Sequence, residues 1–220
     1  MWRKLINLWR EDNLLEQAWQ ESYKMLEIDQ EMFLEAVQIL RETTGTDVDE
    51  EVRSKDKLVD AYEQDVRRKV LTHCALSDSS QVPGGMALVT IVVDIERIGD
   101  YIKHMIDIAA NYPKQLHGSK YEEDLQRVEE AVKENFARTR AWIESSDERE
   151  AAKLLQDYSW VKQACFDQLM TLISNMEAEM PAAQAAALAL YFRFLKRINS
   201  HLLNITTSVI QPFDMIGVKK

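Results

Sequence analysis

Six glycines and four prolines in 220 residues amount to less than half the roughly 12% of an average protein, so this chain has few places to bend. They are also grouped. Gly45, Pro83 with Gly84 and Gly85, Pro113 with Gly118, Pro181, and Pro212 with Gly217 bound unbroken stretches of about thirty to forty residues, and only Gly99 stands alone. Stretches of that length far exceed a strand of about 5 to 6 residues. A β-sandwich, a barrel and a Gly-rich nucleotide-binding fold are therefore disfavoured, and at 46% apolar residues the chain can bury a core of helices packed on helices.

The breakers predict six long helices, at 3–43, 47–77, 83–111, 119–145, 147–178 and 182–210. Asp47 with Glu50, Ser119 with Glu122 and Asp147 with Glu150 have the spacing of a capping box, and Pro83 and Pro181 suit a first helical turn. Ile91, Ile95, Ile98, Ile102, Met105 and Ala109 form one apolar stripe, with shorter stripes at Leu58, Tyr62 and Val66 and at Leu154, Val161 and Leu172. A shift of 100 residues lays Arg97-Ile98 over Arg197-Ile198, matches apolar residues at 95/195, 102/202 and 105/205, and places each segment behind a Pro and small residues. The expected fold is all-α, two tandem antiparallel three-helix bundles, at 1–113 and 114–220. The alanine run 182–189 suits close helix packing.

A net charge of −10 argues against general nucleic-acid binding. No run of 18 apolar residues predicts a membrane span, and the N-terminus lacks the apolar core of a signal peptide. Cys74 and Cys165 have no CxxC or His neighbour at ligand spacing, which suits reduced, buried thiols in the cytoplasm. Residues 1–10, with Trp2, Leu5, Ile6, Leu8 and Trp9 among Arg3, Lys4 and Arg10, read as the start of helix one or as a peripheral contact with the inner membrane. No Gly-rich phosphate cradle precedes a Lys-Ser/Thr pair, and the four His have no recognisable nucleophile partner. A non-enzymatic protein is expected. Arg97 and Arg197 are expected to pair with carboxylates across helices.

The chemistry-bearing residues are acidic. Asp56, Asp60 and Glu63 on helix two, and Glu96, Asp100, His104 and Asp107 on helix three, each fall within a sector of about 80°. If the two helices form a hairpin turning at 78–83, Asp60 and Asp100 both lie about 25 to 27 Å from the turn at 1.5 Å per residue, so the sets share a level. Converging carboxylates suit Mg, Ca, Mn or iron, and His104 tilts the choice toward iron or zinc. A solvated acidic face is the competing reading. An oxidase of the carboxylate-bridged di-iron type needs Glu-x-x-His pairs, and none of His73, His104, His117 and His201 has a Glu three residues before it.

The run Val92-Val93-Asp94-Ile95-Glu96-Arg97-Ile98-Gly99-Asp100-Tyr101 resembles the signature of the PhoU family of phosphate-uptake regulators, whose repeat carries an E(D)xxxD motif in an "ERIGD" setting. Asp56-Lys57-Leu58-Val59-Asp60 resembles the family's partner motif. The resemblance implies two tandem three-helix bundles and a multinuclear iron or zinc cluster held by Asp56, Asp60, Glu96 and Asp100, with His104 where the family usually has Asn. It also implies a cytoplasmic regulator that docks on a phosphate transporter or its histidine kinase, and leaves room for a homodimer. Lys196 and Ser200 replace the carboxylates of 96 and 100 in the second repeat, and its partner helix offers only Asp157, so one metal site is expected. A metal-free structural or adaptor bundle and a metal-dependent hydrolase are the alternatives.

Overall fold

A computed structural model describes residues 13–43, 50–112, 114–145, 148–174 and 180–210. Residues 1–10, Asp47, Pro113 and Asp147 lie outside them, and so do the two capping boxes and the membrane contact that rest on them. Seven α-helices follow in order among the described residues: α1 Asn13–Glu42, α2 Glu50–Leu76, α3 Val82–Asn111, α4 Glu122–Ser145, α5 Glu148–Tyr158, α6 Val161–Ser174 and α7 Ala182–Ile210. Short 3₁₀ turns, Ser79–Gln81 and Ser119–Tyr121, lead into α3 and α4. No described helix is long and apolar enough to cross a membrane.

The first three helices pack on one another, α4 to α7 form the second half, and α3 against α7 together with α1 against α4 joins the halves. Direction follows from the ion pairs. Lys55 meets Glu35 at 3.1 Å and Lys69 meets Glu21, so α2 runs against α1; Arg53 meets Asp107 at 2.8 Å, so α3 runs against α2. Every residue of the predicted α3 stripe is buried, and so are Leu88, Val92, Ile106 and Ile108. That second apolar face exists because α3 is central, packed on α1 and α2 on one side and on α7 on the other.

On α2 the inward face is Val52, Asp56, Val59, Val66, Val70 and His73, while Leu58 is 45% exposed. Of the predicted stripe, Val66 is buried and Tyr62 packs against the core, and only Leu58 turns outward. Val59 and the acid Asp56 take the inward positions beside it.

The predicted helix 147–178 is two helices, broken at Ser159 and Trp160. The break frees the Tyr158 carbonyl, which accepts a hydrogen bond from Asn199 Nδ2 at 3.1 Å, while Arg127 lies over the Trp160 ring at 4.1 Å. A residue 41 positions away in sequence thus holds a bend that no Gly or Pro announces. Before α4, Ser119 does not cap the helix but takes a φ of 51°. Glu122 instead accepts the Gly118 N–H. A side chain at 118 would collide with the Glu122 backbone at 2.7 Å.

The seam between halves is polar at its centre. Asp94 of α3 is buried and accepts from Asn204 at 3.1 Å, and lies 2.7 Å from His201 Nδ1. The Tyr101 ring stacks on His201 at 5.8 Å. Arg197 Nε donates to the Tyr101 hydroxyl at 3.0 Å, and Arg97 pairs with Glu96 and Asp100 on its own helix. Among the described residues neither arginine makes the expected carboxylate pair across helices, since an aromatic ring faces one and its own helix supplies partners to the other. Cys165 is buried, which pushes its thiol up to about 12, whereas Cys74 is only partly buried.

Asn199 accepts from Asn135 Nδ2 at 2.9 Å as well as donating to Tyr158. Asn199→Ala would leave both buried groups unpaired, and is expected to cost about 2 to 4 kcal/mol, measured as a lowered urea midpoint.

Candidate metal centre

Three helices supply the acidic cluster. α2 presents Asp56, Asp60 and Glu63 one turn apart, and α3 presents Glu96 and Asp100 opposite them. Lys103, one turn beyond Asp100, lies between the sets, its ammonium 3.0 Å from Asp56 Oδ2 and 2.9 Å from Asp100 Oδ1. Asp60 feels Asp56 and Asp100, and Glu96 feels Asp100, Glu63 and Asp60. The structure thus brings together Asp56, Asp60, Glu96 and Asp100. His104 stands apart, half exposed, with Nδ1 3.3 Å from Asp107 and its ring 5.6 Å from Phe194.

A further carboxylate of the cluster is Asp29 of α1, which the motif-based reading missed. It is 0% exposed, and neither oxygen has a hydrogen-bond partner among the described residues. A signal was present in the sequence. Along α1 the buried residues run Leu15, Ala18, Trp19, Ser22, Met25, Leu26, Asp29, Met32, Phe33, Ala36, Val37 and Leu40, so Asp29 occupies a core position in a 3–4 spaced apolar stripe. Gly99 gives it room: a Cβ there would lie 3.0 Å from Asp29 Oδ1 and 3.8 Å from Asp56 Oδ1.

Burial and crowding set the electrostatics. Burial, followed by Asp56, Glu96 and Asp100, holds the Asp29 carboxyl far above the usual carboxylate range. Glu96 is pushed up to about 7, by burial first and then by Asp100, against the pull of Arg97. Asp60 is raised by burial and then by Asp56. Burial acts upward on Asp100 too, but Lys103 and Arg97 outweigh it and keep that carboxyl low. Lys103 is raised, because Asp100 and Asp56 outweigh its own burial.

Such a cluster favours cations. All of its donors are carboxylate oxygens, which suit hard and borderline metal ions, and Asp29 adds two buried oxygens without hydrogen-bonding partners. These residues fit a metal ion by donor type. As arranged, no three carboxylate, imidazole or thiol groups among the described residues surround a common point at ligand spacing, and Lys103 holds Asp56 to Asp100.

The second repeat is built differently. Lys196 lies over the Phe166 ring at 5.6 Å and Ser200 bonds the Lys196 carbonyl at 2.8 Å. Asp157 is paired with Arg138 at 2.7 Å, and the same guanidinium holds Glu150. A covalently attached cation thus answers the acids there.

Carboxyls raised in the fold bind protons more tightly than unfolded ones, so they favour the folded state at low pH and lose that contribution as pH climbs through the folded value. Carboxyls held low, such as Asp100 and Asp107, are ionised in both states above about pH 5 and add no slope there. In the presence of chelator, stability is therefore expected to fall as pH rises from about 4.5 to about 7, opposite to ordinary acid denaturation. Glu96→Gln should flatten the trend. Urea midpoints across that window measure it, and a steady rise would contradict this account.

No curated protein matches the chain. Among solved structures, PhoU from Pseudomonas aeruginosa superposes with a TM-score of 0.77 at 20% identity, over 90% of this chain and 95% of that one. The phosphate transport system regulatory protein PhoU from Streptococcus pneumoniae superposes with a TM-score of 0.75 at 15% identity, over 89% of this chain and 92% of that one. At these identities the likeness shows a shared fold. The sequence model of the PhoU domain matches residues 23–109, a span that contains Asp29, Asp56, Asp60, Glu96, Asp100 and Lys103. By sequence, residues 23–109 are similar to the PhoU domain, and the chain as a whole shares the fold of these two PhoU structures.

Proposed function

We propose that this chain regulates phosphate uptake, that it binds a transition-metal ion or cluster, iron or zinc, at the first repeat, and that it docks on a phosphate transporter or its associated histidine kinase. The observation that carries this reading is the coincidence of the PhoU-domain match at 23–109 with the acidic cluster. The printed role of the pneumococcal neighbour, regulation of a phosphate transport system, supports the phosphate link. Asp56, Asp60, Glu96 and Asp100 are the proposed ligands, with His104 outside the set unless its side chain leaves Phe194. A bound cation would neutralise their mutual repulsion and tie α2 to α3. This is a binding role, without catalysis. It fits a location on the cytoplasmic face of the membrane, where residues 1–10 carry a basic and apolar composition suited to its surface.

One observation favours a second reading. The Lys103 ammonium already bridges Asp56 and Asp100, as it would in a metal-free adaptor bundle. The two readings part at Lys103→Met. If the site takes a metal, removing the competing cation should tighten binding by about tenfold, about 1.4 kcal/mol. If Lys103 is the permanent counter-ion, the variant should lose about 1 to 3 kcal/mol of stability and gain no metal.

Two measurements test the proposal as a whole. Protein purified without chelator should carry iron or zinc, and Glu96→Ala with Asp100→Ala should lose it; absence of metal in the wild type would sink the metal reading. Deleting the gene in its own host should release phosphate uptake from repression in phosphate-rich medium by several-fold. Unchanged uptake would sink the phosphate reading.

A further inference from the structure

We propose that the face made by α7 with its neighbours α3 and α6 is a docking groove for an amphipathic helix of a partner protein, apolar along its inner side and acidic at one end. The inference rests on the docking reading above and goes beyond it in naming the surface and the chemistry of what it receives.

The groove begins in the sequence of α7. Ala183, Ala186, Leu190, Arg193 and Arg197 recur at steps of three and four, and all are exposed. They form one row, about 21 Å long at 1.5 Å per residue, between the side of α7 that packs on α3 and the side that packs on α6. α6 carries a second exposed row at helical spacing, Lys162, Phe166, Met170 and Ile173. The Lys196 ammonium of α7 lies 5.6 Å from the centre of the Phe166 ring, so the two rows run side by side. On the other flank, His104 and Ile108 of α3 face Ala187 and Phe194 across a cleft of about 360 Å³ that Leu190 borders. Alanine at 183 and 187 leaves the room there that longer side chains would fill.

The groove is apolar at one end and basic at the other. α6 runs against α7, with Tyr158, just before α6, held at Asn199 and Phe166 at Lys196. The apolar residues of both rows therefore fall at one level, and Lys162, Arg193, Lys196 and Arg197 at the next. Leu190 is 45% exposed, Phe166 43%, Met170 39% and Ile173 66%. Single exposed apolar residues are ordinary, but four on adjoining rows make a patch.

The cations select the occupant. The chain carries a net charge of −10, yet none of these four has an ion pair among the described residues; Arg197 meets the Tyr101 hydroxyl and Lys196 the Phe166 ring instead. The acid that lines the cleft, Asp107, is already paired with Arg53 at 2.8 Å. A partner covering the apolar residues also covers the cations, and a cation taken from water needs an acid to answer it. A flat lipid surface would leave the cleft between α3 and α7 unfilled. A helix of about 14 residues laid along α7 matches the row in length and can fill the cleft with side chains at i, i+3, i+4 and i+7.

The test is photo-crosslinking of the full chain in its own host. Leu190→p-benzoylphenylalanine places the reactive group in the groove, Phe166→p-benzoylphenylalanine serves where that variant does not fold, and Lys24→p-benzoylphenylalanine on α1 is the control. Crosslinks from the groove are expected on one segment of a phosphate transporter or its histidine kinase, read by mass spectrometry, with apolar residues at helical spacing and acids at one end. Lys162→Glu with Arg193→Glu should cut the yield by about tenfold at an unchanged melting temperature, and replacing the acids of the captured segment by Lys should restore it. Crosslinks to lipid, to a second copy of this chain or to a segment without acids would overturn the proposal, as would a yield no higher than at the control position. An acidic amphipathic helix from a protein with no part in phosphate uptake would support the groove and overturn the docking reading.

Discussion

The first bundle is organised around negative charge that its own side chains compensate only in part. At 4 Å and an effective dielectric constant near 20, two unit charges interact by roughly 4 kcal/mol, which is comparable with a large fraction of a domain's net stability. Lys103 and Arg97 answer Asp56 and Asp100, and Arg97 also lies 3.5 Å from Glu96. Asp29 has no such partner among the described residues. The raised carboxyls at 29, 60 and 96 are the record of that shortfall, and they lie on three different helices. Loss of helix packing would disperse them, so the packing of the apolar residues around them has to overcome their repulsion.

That packing is what the sequence displays most openly. The scarcity of Gly and Pro and the stripe from Ile91 to Ala109 are sufficient for long helices and for α3 as a core element, because apolar burial acts on every turn and its periodicity repeats. The break at Ser159 was not legible for the opposite reason. It depends on one long-range bond, from Asn199 to the Tyr158 carbonyl, and leaves no local composition signal. The outward turn of Leu58 on α2 has a related cause. Asp56 is assigned to a polar face by its chemistry, yet lies on the buried face because the cluster is partly inside the bundle.

The same logic explains how much of the site could be read. Asp56, Asp60, Glu96 and Asp100 announce themselves through i,i+4 spacing, and a hairpin brings them together by length alone. His104 shares that spacing but faces Phe194 across the seam, a contact set by packing between halves and invisible in one helix. Asp29 has no acidic neighbour at helical spacing within its stripe. It is visible only as a charge at a core position, and its meaning depends on the glycine seventy residues later that makes room for it.

α3 carries these features on two faces. One presents Glu96, Asp100 and Lys103 to α2; the other presents Asp94 and Tyr101 to α7, where His201, Asn204 and Arg197 bind them. Both faces belong to one continuous helix, so the cluster lies on an element that also packs against the second half. The second repeat has no matching arrangement, because Arg138 supplies its cation from within the chain and Asn135 with Asn199 closes its core. The carboxyls raised by burial and mutual repulsion at 29, 60 and 96 are therefore concentrated in the first bundle, beside the helix that packs against the second half.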